Sequence, residues 1–127
     1  MFTRLIWSLA AITWMAFIFA MSSTRQFSQP FGLSTFFMSI AAHMILYGVL
    51  ALLLLFAVDR SPRRARSSMT AAIAIAALYG VSDEFHQSFV PGRDASVLDL
   101  LVNTAGATIA VVVWSFRRSA IAAVTSR

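Results

Sequence analysis

The sequence YGVSDEFHQSFVPGRDASVLDLLVNTAG, residues 79–106, combines polar residues with a strongly apolar setting. It holds four of the five acidic residues of the chain and one of its two histidines. The segments on either side are apolar enough to enter a membrane, where ionisable side chains are costly and usually serve a function. The polar groups gathered here therefore predict a functional site.

The composition of the whole chain is typical of a membrane protein. Of its 127 residues, 59% are hydrophobic and 12% are charged. The formal charge of +5 is the balance of ten arginines and five acidic residues. Most of the arginines flank apolar segments, so nucleic acid is not expected as a partner. The sequence has no cysteine, which excludes disulfides, thiolate metal sites and thiol nucleophiles. We expect a single domain over residues 1–127.

Four apolar segments predict an all-α, polytopic membrane protein with four transmembrane helices. The predicted helices cover approximately residues 4–22, 36–58, 69–90 and 97–116. The first segment is longer than the hydrophobic part of a signal peptide, so we expect it to be retained as a helix.

The connections are marked by residues that favour turns. Pro30 and Gly32 indicate a first loop, and the arginine-rich residues 59–68 indicate a second. Pro91 and Gly92 end the third helix in a short turn. The chain therefore passes directly from the third helix into the fourth.

The arginines also predict the orientation of the protein. With both termini in the cytoplasm, the positive-inside rule is satisfied by eight arginines inside and two outside. The eight are Arg4, Arg60, Arg63, Arg64, Arg66, Arg117, Arg118 and Arg127, and the two are Arg25 and Arg93.

This topology brings polar residues of three helices to the same depth. The third helix ends outside, and the second and fourth begin there, so their ionisable groups lie in the outer half of the membrane. Ser39, His43 and Tyr47 recur every four residues and share a helix face, as do Asp99 and Asn103. We expect one outward-facing site formed by His43, Tyr47, Asp83, Glu84, His86, Gln87, Arg93, Asp99 and Asn103.

The polar side chains of the third helix are spread too widely around the helix axis to line one side of a cavity. At about 100° per residue, they span ~160° around that axis. We expect Glu84 and Gln87 to form one set, and Tyr79, Asp83 and His86 another, with only one set lining the cavity.

Several of these residues also have structural interpretations. Ser96 is placed to cap the fourth helix, so Asp99 could serve only the helix start. Asn103 could bond a neighbouring helix, and His43 could be held by a carboxylate. Gly106 is expected where helices approach closely.

From Asp83 to Gly106 the sequence reads D-E-x-H-Q-x-x-x-P-G-R-x-x-S-x-x-D-x-x-x-N-x-x-G, and His43 with Tyr47 supplies H-x-x-x-Y. This pattern resembles the signature of the VanZ-like family of small bacterial membrane proteins. Many members carry a lysine where this chain has Ile40, which leaves Arg93 as the cation expected at the site.

The resemblance implies a multi-pass protein of the bacterial cytoplasmic (inner) membrane. The member that names the family is associated with resistance to the glycopeptide antibiotic teicoplanin, and most relatives have no assigned activity. The resemblance therefore implies a class of protein without implying a reaction.

We expect the site to bind or process the headgroup of an envelope lipid or glycolipid. Arg93, in a turn beside a helix N-terminus, suits a phosphate or carboxylate. If a reaction occurs, the candidate catalytic residues are Glu84, His43 and Asp99. Glu84 would be the general acid or base, and Asp99 would orient His43 or Arg93. The remaining candidates for ligand binding are Tyr47, Asp83, His86, Gln87 and Asn103.

Two other functions stay open. A small proton-coupled transporter ranks lower, because small multidrug exporters carry an essential glutamate in the first helix and this chain has no acidic residue there. A structural or interaction protein is the other alternative, and a homo-oligomer is compatible with so small a chain. No metal or other cofactor is expected, since His43, His86, Asp83 and Glu84 form no compact ligand motif.

Overall fold

Four helices form the described part of the protein, and consecutive helices run antiparallel. The ends of the first and third helices therefore lie beside the starts of the second and fourth. The computed structural model describes residues 2–24, 33–58, 65–93 and 95–125. The helices are α1 (Phe2–Ser22), α2 (Leu33–Val58), α3 (Ala65–Gln87) and α4 (Val97–Thr125). The described residues contain no strand, which confirms the all-α prediction.

α1, α2 and α3 begin two to four residues earlier than predicted, and two C-terminal helix ends also differ from the predicted ones. α3 ends at Gln87, before Val90, because the N–H groups of Phe89 and Val90 already bond carbonyls three residues back. α4 continues beyond Phe116 to Thr125. Residues 117–125 contain no glycine or proline and three alanines, so nothing in this segment ends a helix.

α2 is the central helix, in contact with each of the other three. Leu50 and Ala51 are fully buried in its middle. At Gly106 of α4, an added Cβ would collide with the backbone of Met44 in α2. The close helix contact expected at Gly106 is therefore confirmed, and only a glycine fits there.

One face of α3 is buried along its whole length. Its buried residues are Ser68, Ala72, Ala76, Gly80, Asp83, Glu84 and Gln87. The small side chains let neighbouring helices approach closely. The same contact brings the polar end of α3 against the rest of the bundle.

Three of the described helices are long and apolar enough to cross a membrane: α1, α2 from Phe36 to Val58, and α4. α3, which carries acidic and amide side chains in its last turns, is not among them. The fourth crossing and the orientation stay predictions. Several residues behind them lie outside the described residues, namely Arg25, Pro30, Gly32, Arg60, Arg63, Arg64 and Arg127.

The outer surface of the bundle is apolar, as expected against lipid. Leu9 and Ile12 of α1, Ile45 of α2, and Leu101 and Ile109 of α4 are each more than half exposed. A surface of this kind is unusual for a soluble monomer.

Candidate functional site

Polar side chains from all four helices meet at one end of the bundle, where α1 and α3 end and α2 and α4 begin. We call this the site end. The Ser22 hydroxyl of α1 donates to Asp83 Oδ2 of α3 at 2.9 Å. His43 Nδ1 of α2 lies 3.0 Å from Asn103 Oδ1 of α4.

Asp83 is the centre of this network and is almost fully buried. Besides Ser22, its Oδ2 accepts hydrogen bonds from the Tyr47 hydroxyl at 3.2 Å and from Gln87 Nε2 at 3.0 Å. The donors belong to three different helices. Hydrogen bonds to a carboxylate are stronger than neutral ones, so Asp83 ties α1, α2 and α3 together.

Two buried polar atoms have no partner among the described residues: Asp83 Oδ1 and Asn103 Nδ2. Buried polar atoms in folded proteins nearly always form a hydrogen bond, to protein or to ordered water. Among the described residues, these two atoms are therefore the unsatisfied part of the network at the site end.

The turn after α3 places Arg93. The Arg93 N–H donates to the Val90 carbonyl at 3.1 Å, closing a four-residue turn over Pro91 and Gly92. Gly92 has a φ of 83°, which a β-turn of type II requires at its third position, and proline is common at the second. The Pro-Gly pair thus directs the chain back toward the bundle.

The Arg93 guanidinium holds the end of α1. It donates to the carbonyls of Met21 at 3.1 Å and Thr24 at 3.5 Å, and to Gln87 Oε1 at 3.2 Å. Gln87 therefore links Arg93 to Asp83 through its two amide atoms. These bonds occupy three of the five guanidinium N–H groups, and none of the acceptors is a carboxylate.

Glu84 contacts the start of α4. Its Oε2 accepts from the Ser96 backbone N–H at 2.9 Å, while Ser96 Oγ accepts from the Asp99 N–H at 3.3 Å. In a capping box, a carboxylate at the position of Asp99 would bond the N–H of the capping residue. Here Glu84, from the preceding helix, does so instead, and the predicted cap at Ser96 is confirmed.

His86 and Tyr79 face α1. His86 Nε2 lies 3.0 Å from Ser23 Oγ, and its ring centroid is 4.2 Å from that of Phe19. The Tyr79 hydroxyl donates to the Met15 carbonyl at 2.6 Å. Both side chains thus support the packing of α1 on α3.

A cavity of about 340 Å³ lies between α1, α2 and α3 at the site end. Its polar lining consists of Ser22, Ser39, His43, Tyr47, Asp83, Gln87 and Arg93. Its apolar lining consists of Ile18, Met21, Met38, Ala42 and Leu46. The cavity thus has both a polar and an apolar surface.

Comparison with known proteins places the chain in a family. The family model VanZ/LLP1 matches residues 6–118. The chain belongs to the VanZ/LLP1 family. The resemblance drawn from the motif is thereby confirmed over nearly the whole chain. No curated protein and no solved structure gives a significant match.

In this VanZ-like membrane protein, the two expected sets of α3 side chains are each divided. Asp83 and Gln87 line the cavity together, although they were expected in different sets. Glu84 faces α4, and Tyr79 and His86 face α1. Helical angles predict the spread of these side chains but not which neighbour lies beside each of them.

The structure also separates the expected site residues by position. The cavity is lined by His43, Tyr47, Asp83, Gln87 and Arg93. Asn103 is fully buried behind the cavity and bonds His43. Glu84, His86 and Asp99 lie outside the lining, and no hydrogen bond between described residues involves the Asp99 carboxylate.

Ser22 is a site residue that the sequence pattern did not reveal. It comes at the end of the first apolar segment, where a serine is ordinary, and it belongs to no motif. Only its contact with Asp83 distinguishes it. Among the described residues, no three His, Asp or Glu side chains lie together as a metal site would require.

Proposed function

We propose that this VanZ-like protein binds the polar headgroup of an envelope lipid or glycolipid in the cavity between α1, α2 and α3. The observation that carries the proposal is the mixed lining, which combines polar side chains such as Asp83 with apolar ones such as Leu46. Such a lining suits an amphiphile, whose headgroup and chain need different surroundings. The volume of about 340 Å³ falls within the ~300–1,000 Å³ usual for ligand pockets.

Arg93 is suited to the anionic part of such a headgroup. Its guanidinium is half-buried in the cavity wall and retains two N–H groups beyond its bonds to the described residues. A guanidinium presents its donors in a planar fork that matches phosphate or carboxylate. Gln87 Oε1 and the two backbone carbonyls of Met21 and Thr24 hold this fork in one orientation.

His43 is suited to a hydroxyl of the same headgroup. Its Nδ1 lies against Oδ1, the side-chain amide oxygen of Asn103. This contact fixes the ring and favours the tautomer with a proton on Nδ1. The other ring nitrogen is then an acceptor. A glycolipid or glycerol headgroup supplies hydroxyl donors for it.

The geometry favours binding over a reaction. Glu84, the candidate general acid or base, bonds the start of α4, and Asp99 does not line the cavity. Of the three candidate catalytic residues, His43 alone lies in the lining. Any role in teicoplanin resistance, which the family resemblance suggests, would then act through the bound lipid.

The proposal includes a fourth membrane crossing by α3, with both termini in the cytoplasm and the site end outside. Leu78, Val81 and Phe85 of α3 are at least half exposed, as expected on a lipid-facing surface. At 1.5 Å per residue, the 23 residues of α3 reach ~35 Å, enough for a hydrocarbon core of about 30 Å.

A structural role is the second candidate. It is favoured by the bonds of Arg93 to the end of α1 and of Glu84 to the start of α4. In that case the polar residues would stabilise helix ends and bind no ligand. Transport is not favoured by any particular contact.

Native mass spectrometry of the protein released gently from its own membrane tests the proposal. Wild type should carry a lipid adduct of defined mass, and Arg93→Gln should lose it. Arg66→Gln is the matched control, since Arg66 is an exposed arginine on the first turns of α3, far from the cavity. Circular dichroism of each variant checks that its helices are retained.

Two outcomes would overturn headgroup binding at this cavity. The first is a wild-type protein without a specific adduct. The second is that every lipid adduct of the wild type is held equally by Arg93→Gln, with none lost. If Arg93→Gln also lowered the unfolding temperature in that case, the structural role would be supported.

A further inference from the structure

A second cavity, of about 430 Å³, lies at the opposite end of the bundle, between the last part of α4, the end of α2 and the start of α3. We propose that it binds an anionic phospholipid of the leaflet at that end. Arg118 would hold the phosphate, and Leu55, Met69 and Trp114 would contact an acyl chain. This site is separate from the cavity at the site end.

The distribution of charge supports an anionic occupant. Arg4 of α1 donates to the Ala57 carbonyl at 3.1 Å, which places the start of α1 beside the end of α2. Arg66 and Arg117 are exposed and adjacent in sequence to residues that line the cavity. Basic pockets between transmembrane helices are known to attract anionic headgroups.

The described acidic residues lie at the other end of the bundle, whereas Asp59, which follows α2 in the sequence, lies outside the described residues. Among the described residues these are Asp83, Glu84 and Asp99, all at the site end. The described part of the opposite end therefore carries basic side chains without acidic ones. A phosphodiester there would meet attraction from several arginines and no repulsion from the described carboxylates.

The lining of the cavity matches the layers of a phospholipid. Trp114 and Arg118 are four residues apart, on one face of α4. The Arg118 guanidinium therefore lies about one turn nearer the C-terminal end of α4 than the Trp114 indole. Tryptophan is enriched at the membrane interface, and arginine reaches from there toward the headgroups. Trp114 is held by an edge contact with Phe56, with ring centroids 5.1 Å apart.

Two serines of the lining suit a headgroup with hydroxyls. The Ser115 and Ser119 hydroxyls donate to carbonyls of their own helix, at 2.8 and 3.0 Å. Because each hydroxyl hydrogen is used in that bond, the oxygens of these lining serines remain available as acceptors. A phosphatidylglycerol would place its phosphate near Arg118 and its glycerol hydroxyls near these oxygens, whereas phosphatidylcholine has a cation in place of those hydroxyls.

Quenching of Trp114 fluorescence by brominated lipids tests the proposal. In a Trp7→Phe/Trp14→Phe background, Trp114 is the remaining tryptophan of the three in the sequence. The protein in mixed micelles is titrated with dibrominated phosphatidylglycerol or dibrominated phosphatidylcholine. Half-quenching should need about fivefold less of the anionic lipid, the factor typical of one basic residue near an anionic surface.

Arg118→Gln should reduce this preference to about one, whereas Arg117→Gln should keep most of it. Arg117 is the matched control because it is the neighbouring cation but does not line the cavity. An equal loss in both variants would overturn the proposal in favour of general surface attraction. Equal quenching by the anionic and the zwitterionic lipid in the parent protein would also overturn it. Displacement of the lipid by excess inorganic phosphate would do so as well, because it would indicate a site for a free anion.

A second measurement avoids the tryptophan substitutions. Native mass spectrometry of the otherwise unchanged chain, with equimolar phosphatidylglycerol and phosphatidylcholine, should show preferential retention of phosphatidylglycerol. Arg118→Gln should abolish that preference, with helical content unchanged by circular dichroism. The measurement is repeated in an Arg93→Gln background, so that the cavity at the site end does not contribute to the preference. Retention of the preference in Arg93→Gln/Arg118→Gln would refute the site even if the fluorescence background failed to fold.

Discussion

At the scale of single residues, two adjacent carboxylates have different surroundings. Asp83 and Glu84 follow one another in the motif, and both are buried. They project about 100° apart around the helix, so Asp83 meets α1 and α2 while Glu84 meets α4. The cavity is thus lined by the first carboxylate of the pair.

Replacement of Asp83 should separate the hydrogen-bonding and packing contributions of this residue. Asp83→Leu leaves the donors of Ser22, Tyr47 and Gln87 without their acceptor, and should lower the free energy of unfolding by about 3 kcal/mol or more. Asp83→Asn keeps one oxygen for these donors and should cost about 1 kcal/mol.

The two variants are compared by unfolding in mixed micelles of increasing denaturing detergent. The amide nitrogen of Asp83→Asn would occupy the place of Oδ1, which has no donor among the described residues. Equal destabilisation by asparagine and leucine would contradict the central role given to the Oδ2 acceptor.

At the scale of elements, the hairpin of α3 and α4 is shaped by three local features. The Pro91–Gly92 turn reverses the chain, Ser96 caps α4, and Glu84 bonds the capping residue from outside the helix. The first turn of a helix has N–H groups without helical partners, so each of these bonds stabilises the start of α4.

Substitutions at Glu84 should affect the start of α4. Glu84→Ala removes the acceptor of the Ser96 N–H and should destabilise this turn by about 1–2 kcal/mol. Glu84→Gln keeps an oxygen acceptor and should cost less. Hydrogen–deuterium exchange of peptides that cover residues 96–101 measures the effect.

Asp99→Ala is the control for this experiment. Asp99 lies in the same turn, but its carboxylate forms no hydrogen bond with another described residue, so only its interaction with the helix dipole is lost. Faster exchange in Asp99→Ala than in Glu84→Ala would show that the cap is assigned to the wrong carboxylate.

At the scale of the whole molecule, the alternating helices separate two chemical environments. The described acidic residues lie at the site end, and the described arginines other than Arg93 lie at the opposite end. Each end has a cavity. If both cavities bind lipid as proposed and α3 crosses the membrane, the two leaflets would meet different binding sites.

Single cysteines test that crossing, because the sequence contains none of its own. Ser67 and Ser88 are exposed near the two ends of α3. In intact cells, Ser88→Cys should react with a membrane-impermeant maleimide, and Ser67→Cys should react only after permeabilisation. Labelling of both from the same side would refute the fourth crossing, and reversed accessibility would refute the orientation.

Much of the fold was predictable because its signals are local. Apolar length predicted four helices, Pro91 and Gly92 predicted the turn, and Ser96 predicted a cap that the structure confirms. The spaced motif identified the family. The convergence of polar groups at one end followed from helix order alone, since antiparallel helices bring alternate ends together.

The sequence by itself therefore determined the helices, their order, the hairpin and the family. Only the tertiary structure decided that Asp83 faces the cavity, that Glu84 bonds the capping residue of α4, and that Ser22 belongs to the site. The physical reason is that sequence periodicity gives angles around a helix axis, whereas the rotation of each helix and its neighbours depend on packing between distant segments. The contact of Gly106 with Met44 is one such determinant.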